Sequence, residues 1–304
     1  MKNRFMQVTK LERTWPLHLL MLPGVALLIV FSYLPMVGIS LAFQDYLPGR
    51  GFLGSDWVGL RNFRYLFALP DIKNVVRNTV LISLGKIALT TLTSIVVALM
   101  INEVRRKLVA RTVQTVLLFP YFLSWVILSG IFVDVFSLKG GLNQVLVRLF
   151  SIEPIFFMGD KLWFLVMLLL THVWKDMGYT MVIYLAAMTS IDVQMYESAM
   201  IDGASRWKQT RYITLPSIAP IIVLTLILAL GSVLSAGFDQ IFTMYNTLVI
   251  DVADIVDTYV YRLGLRSAQY SLATAVGLLK SAVSMVLVVA SYWAAGRFAG
   301  YKVF

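Results

Sequence analysis

Cysteine is absent from the 304-residue chain, and histidine occurs only twice, as His18 and His172. The first absence excludes disulfides, zinc–thiolate sites and thiol chemistry. The second leaves too few imidazoles for a His-rich metal site. No H-E-x-x-H sequence occurs. The phosphate-binding pattern G-x-x-x-x-G-K-[ST] is missing too, because Gly85-Lys86 lacks both the upstream glycine and the following hydroxyl. ATP binding by that route is therefore excluded. Charge is scarce: 14% of residues are charged, against about a quarter in a soluble domain.

What remains is apolar. Hydrophobic residues make up 59% of the chain and mean hydropathy is +0.79. A membrane-crossing helix needs about 20 apolar residues. Six segments qualify: Leu17 to Phe43, Asn78 to Ile101, Thr112 to Phe136, Leu162 to Met188, Ser217 to Ala236 and Leu272 to Ala295. The fold class predicted is all-α, with six transmembrane helices. The first segment lacks a small-residue cleavage site and reads as a retained anchor, with Pro23 and Pro35 kinking it or marking its ends.

The net charge of +10 would suit nucleic acid if it were gathered on one face. Its placement instead sets topology. With the N-terminus inside, the inner segments carry thirteen Lys and Arg against five acids, and the outer ones ten against nine. The shortest and most basic loop, Arg105-Arg106-Lys107 to Arg111, then lies inside. Both termini are predicted to be cytoplasmic, with residues 1–16 as a cytoplasmic segment, residues 17–304 as one membrane domain, and the loop 189–216 on the cytoplasmic side.

That loop carries the most specific pattern in the chain: Tyr196-Glu-Ser-Ala-Met-Ile-Asp-Gly-Ala204, then Ile213-Thr-Leu-Pro216. Asp192 is placed to cap a short helix through Gln194 to Ile201, and Gly203 to end it in a left-handed conformation. Ser205 can cap a second short helix, Arg206 to Tyr212, and Pro216 suits the start of the next span. The pattern resembles the EAA loop of bacterial ABC-importer permeases, with Ser198 standing where that family usually has alanine. The resemblance implies that Glu197, Ala199, Asp202, Gly203, Ala204, Leu215 and Pro216 form the surface gripped by an ATPase subunit. An ordinary solvated connector is the plainer reading. A DNA-reading helix pair tethered between spans could scarcely reach a groove.

The resemblance covers nearly the whole chain. Phe31-Ser-Tyr-Leu-Pro35, Trp57-Val-Gly-Leu-Arg-Asn-Phe63, Gly237-Phe-Asp-Gln240 and Asp254-Ile-Val-Asp-Thr-Tyr-Val-Tyr261 are similar to carbohydrate-importer permeases, most of all the complex-oligosaccharide branch that includes alginate- and pectin-fragment importers. It implies a type I importer fold in the bacterial inner membrane. It also implies a second homologous permease as a heterodimer, two ATPase subunits and an extracytoplasmic solute-binding protein. ATP and magnesium belong to the partner ATPase; no cofactor is implied on this chain, and no nucleic-acid partner.

Ionisable groups inside spans are costly and are candidates for function. Lys175 and Asp176 interrupt the fourth span, Lys280 the sixth and Lys86 the second. A sugar needs hydrogen-bonding groups flanked by aromatic faces, which Trp174, Asp176, Tyr179, Asp239 and Gln240 offer, and Lys175 with Lys280 would suit an acidic sugar. Interhelical hydrogen bonds or snorkelling lysines are the structural alternative, and His172 reads as a packing residue. A membrane-embedded enzyme would want a nucleophile–base arrangement, and a secondary transporter usually shows internal repeats; neither is evident.

Overall fold

A computed structural model describes residues 2–298. The side chains of several basic residues used for orientation (Lys2, Arg4, Lys10, Arg13, Arg297 and Lys302) lie outside the described part. Ten helices organise the chain: α1 Lys2–Leu28, α2 Asp71–Asn102, α3 Lys107–Leu118, α4 Trp125–Val135, α5 Lys161–Thr189, α6 Val193–Ile201, α7 Leu215–Gly231, α8 Phe238–Met244, α9 Val256–Tyr261 and α10 Tyr270–Phe298. Shorter turns link them.

The chain divides into two compact units. One takes the chain up to Ala68 together with Leu263–Leu278. In it, α1 continues through a π-turn, Ile29–Tyr33, and a 3-10 helix, Leu34–Phe43. Pro35 explains the change of winding, since a proline withdraws its N–H and crowds the carbonyl four residues back. Pro23 sits inside α1 without ending it. A two-strand antiparallel ribbon, β1 Gln44–Asp45 and β2 Asp56–Trp57, follows. Phe43 stacks on Trp57, and the buried Asn62 amide donates to the Ala42 and Gln44 carbonyls.

The second unit takes Leu69–Arg262 and the chain from Leu279 onward. Its core is built from α2, α5 and α7. Ala98 and Ile101 of α2 pack with Met181, Tyr184 and Met188 of α5 and Ile218 of α7. The approach of α5 to α3 depends on Gly178, where an added Cβ would overlap the Leu117 carbonyl oxygen. The outward faces stay apolar: Leu20, Phe31, Val126 and Val286 are each more than three-fifths exposed, as lipid-facing side chains are, since lipid is as apolar as they are.

Among the described residues, four helical stretches are long and apolar enough to cross a membrane, and a bent pair makes a fifth. The fourth predicted span is α5. Its 29 residues reach about 44 Å, but His172, Lys175 and Asp176 break its apolarity. The third predicted span needs correction. Thr112 to Phe136 is not one rod: the helical stretch Lys107–Phe122 meets α4 at 98°. Pro120 removes a donor at the bend, Leu123 turns extended, and the Ser124 hydroxyl accepts from the Val126 amide to start α4. The fifth span also stops early, at Gly231, and residues 232–237 run as irregular chain.

Candidate functional site: the α5–α7 loop and a membrane cavity

The loop between α5 and α7 folds as a helix-turn-helix. Asp192 accepts from the Gln194 amide at 2.9 Å and starts α6. At its other end, the Gly203 amide donates to Met200 O and the Ala204 amide to Ala199 O. Gly203 has φ +73°. This is the paired 5→2 and 6→1 arrangement that closes a helix on a left-handed residue. It accounts for the residue types. Asp202 is the last half-helical position, and glycine takes the conformation that costs other residues. Ala199 and Ala204, joined by the 6→1 bond, are both partly buried.

Ser205 then caps Arg206–Gln209, and buried Gln209 donates to the Ala204 carbonyl. The second helix differs from the Arg206 to Tyr212 expectation. It is α-helical only to Gln209, then forms a π-turn, Thr210–Thr214, that runs without interruption into α7. Pro216, two residues into α7, supplies the reason, as Pro35 does in the first unit. Leu215 opens α7. Tyr196 of α6 hydrogen-bonds the Thr214 hydroxyl at 2.9 Å, so α6 is tied directly to the base of α7. Glu197 and Asp202 are exposed, and Val193, Met195, Met200, Ile201 and Trp207 present apolar surface beside them.

A cavity of about 560 Å³ lies among α2, α5, α7 and the α3–α4 bend. Its lining includes Thr90, Tyr121, His172, Asp176, Tyr179 and Ser232. The Tyr121 and Tyr179 rings stack at 4.6 Å, a flat face of the kind a sugar ring can lie against. His172 Nδ1 stands 3.2 Å from Asp176 Oδ2, in a geometry that makes no hydrogen bond. Thr90 Oγ1 is buried without a partner.

Of the seven path candidates, Asp176 and Tyr179 line this cavity. The other five do not. Lys175 donates to the Tyr121 carbonyl at 2.7 Å and lies over the Tyr121 and Trp125 rings, satisfying an acceptor freed by the bend. Lys280 is paired with Asp257. Gln240 is wholly buried and binds Leu168 O, Thr171 Oγ1 and Lys86. Trp174 packs edge-on against Phe132, and Asp239 is exposed on α8. Sequence reasoning left Thr90, Tyr121, Lys86 and His172 out of the candidate set. A signal for two of them was present: Thr79, Ser83, Lys86, Thr90 and Ser94 recur every three or four residues along an apolar helix, and all are buried. That spacing marks one polar, protein-facing stripe.

The family model described as "Binding-protein-dependent transport system inner membrane component" matches residues 90–299. The chain is 41% identical over 282 residues to the polygalacturonan/rhamnogalacturonan transport system permease protein YteP of Bacillus subtilis (strain 168), covering 93% of this chain and 88% of that one. It is 30% identical over 221 residues to the lactose transport system permease protein LacF of Rhizobium radiobacter, covering 72% of each. A chain in the crystal structure of a bacterial alginate ABC transporter, in complex with alginate pentasaccharide-bound periplasmic protein, superposes with TM-score 0.88 at 33% identity, over 97% of this chain and 99% of that chain. The loop, the helical membrane body and these likenesses together place the chain in the binding-protein-dependent transport system inner membrane component family, as a non-catalytic permease subunit of an ABC importer.

Proposed function

We propose that the chain forms half of the path of an importer for uronate-containing oligosaccharides and couples to cytoplasmic ATPases through α6. The observation that carries the coupling role is the α6 geometry. A short helix is fixed at both ends by its own sequence, is hydrogen-bonded to α7 through Tyr196, and presents exposed acids beside exposed apolar side chains. Such an element moves as a lever when a partner pushes it. Glu197, Asp202, Gly203 and Ala204 form or shape the gripping surface, Ala199 closes the helix, and Leu215 and Pro216 pass the movement into α7.

The remaining parts follow from this role. N- and C-termini inside put α6 on the cytoplasmic face. A second, homologous permease completes the path, two ATPase subunits hold ATP and magnesium, and an extracytoplasmic binding protein delivers the sugar. Support for an acidic sugar comes from the relatives' substrates, polygalacturonan, rhamnogalacturonan and alginate. Within the cavity, Asp176 and Tyr179 meet the passing sugar. Among the other candidates, Lys175, Lys280 and Gln240 hold the walls, and Trp174 and Asp239 act outside the cavity.

The test is reconstitution in liposomes with the cognate permease, ATPase and binding protein. ATP-dependent uptake of a galacturonate or mannuronate oligomer, well above that of a neutral oligomer of equal length, is the expected result. Uptake without ATPase or binding protein would refute the importer reading.

A further inference from the structure

Lys86 is an ammonium deep in an apolar span, 4% exposed. Its Nζ donates to the Ala236 carbonyl at 2.7 Å and to Gln240 Oε1. Gln240 passes the connection on through its own amide, to Leu168 O at 2.8 Å and Thr171 Oγ1 at 3.0 Å, both on α5. One lysine–glutamine pair therefore ties three bodies: α2, α5, and the irregular chain that follows α7.

The placement matters because of what α7 is joined to. Its base is continuous with the helix-turn-helix. Its far end is the break at residues 232–237, where carbonyls lose their helical partners. In hydrocarbon such carbonyls need protein donors, and Lys86 serves Ala236. Gly237 fits the clip closely. It has φ +92°, and a Cβ there would lie 3.1 Å from Lys86 Nζ. Lys86 also lines the cavity, as does Ser232 at the start of the break. Displacement entering α7 at its base thus meets, at its other end, a charged hydrogen bond at the cavity wall.

We propose that Lys86 is a positioning residue for transport: through Gln240 and the Ala236 carbonyl it makes the broken end of α7 move as one body with α2 and α5, so that movement of the loop changes the cavity. The proposal rests on the permease reading, and its failure is separable. Failure of the unaltered complex to transport sinks that reading, whereas normal coupling in the variants sinks only the clip.

The experiment uses the complete reconstituted complex. Sugar imported per ATP hydrolysed is measured for Lys86→Met and Gly237→Ala, the second keeping every hydrogen-bonding group while crowding the ammonium. In parallel, Ser232→Cys, in a chain with no native cysteine, is labelled with a small thiol reagent, with and without a non-hydrolysable ATP analogue. In the otherwise unaltered protein the analogue changes the labelling rate. Both variants are expected to assemble and hydrolyse ATP, to lose sugar moved per ATP by about tenfold, the equivalent of one charged hydrogen bond, and to label at position 232 independently of the analogue. A merely structural lysine would lower assembled yield but leave that ratio and the nucleotide-dependent labelling intact. If Lys86→Met fails to assemble, Gly237→Ala decides alone. Wild-type ratio and labelling response in an assembled variant overturn the proposal.

Discussion

Replacing Gly203 by alanine isolates one physical quantity at the coupling loop. At φ +73°, a Cβ would meet no atom within 4 Å, so there is no clash to relieve. The cost is backbone alone, about 1–2 kcal/mol for an L-residue in the left-handed region. If that cost falls on the folded helix end, the docking-competent form becomes about 5–30 times rarer relative to its open alternatives. ATPase affinity, measured by titrating labelled ATPase subunit onto the permease in nanodiscs at fixed salt, should weaken by up to that factor. Gly59→Ala is the control. Gly59 has φ +58° and equally open space, but it lies in the unit that does not contain the loop. It should lose similar thermal stability with unchanged ATPase affinity. Full affinity in Gly203→Ala, or equal weakening in Gly59→Ala, would refute the reasoning. Gly203→Pro also removes the amide that binds Met200 O and should release the ATPase altogether.

Further predictions concern topology, the walls and the cavity. With N- and C-termini inside, a cysteine replacing exposed Ser198 should react with an impermeant reagent only from the cytoplasmic face, and one replacing fully exposed Leu53 only from outside; labelling of both from one side contradicts the orientation. Lys175→Met orphans the buried Tyr121 carbonyl at a cost of about 1–3 kcal/mol, so thermal unfolding in detergent should shift downward while transport of acidic and neutral sugars falls equally; a selective loss of the acidic sugar would instead put the Lys175 ammonium on the path. Asp176→Asn keeps the size of a cavity-lining group and should lower transport severalfold with ATPase affinity unchanged; normal transport would remove Asp176 from the path. Arg262→Met leaves Asp254, which is 4% exposed, without the partner that holds it at 2.6 Å, and should lower the melting temperature measurably; an unchanged one would mean that Thr258 alone satisfies the carboxylate.

The loop was legible in the sequence because every interaction that shapes it is local. The Asp192 cap spans two residues, the Gly203 closure spans five, and the residue types needed at each position are few. The bend after α3 was not legible. Thr112 to Phe136 reads as one apolar run, and Pro120 alone does not decide between a kink and a break. The break is settled by Lys175, which reaches the Tyr121 carbonyl across 54 positions of sequence. The same distance problem misdirected the lysines. Lys175 and Lys280 in apolar spans suggested an anion site, since sequence could not show that one meets a freed carbonyl and the other Asp257.

The three intramembrane lysines follow one physical rule, and that rule sharpens the cavity. An ammonium in hydrocarbon is tolerated where an acceptor has been left over. Lys175 meets the carbonyl freed at the α3–α4 bend, Lys86 meets one freed beyond α7, and Lys280 meets the carboxylate of Asp257. Each cation is thus spent on the protein itself. The buried polar atoms left without hydrogen bonds within the described spans are Ser83 Oγ, Thr90 Oγ1 and Asp176 Oδ2. Two of those three residues line the cavity, one bearing a hydroxyl and one a carboxylate, close to the stacked tyrosines. A passing hydroxyl-rich molecule can supply donors to both. The unsatisfied groups, rather than the charged ones, therefore mark where the path offers bonds to its cargo.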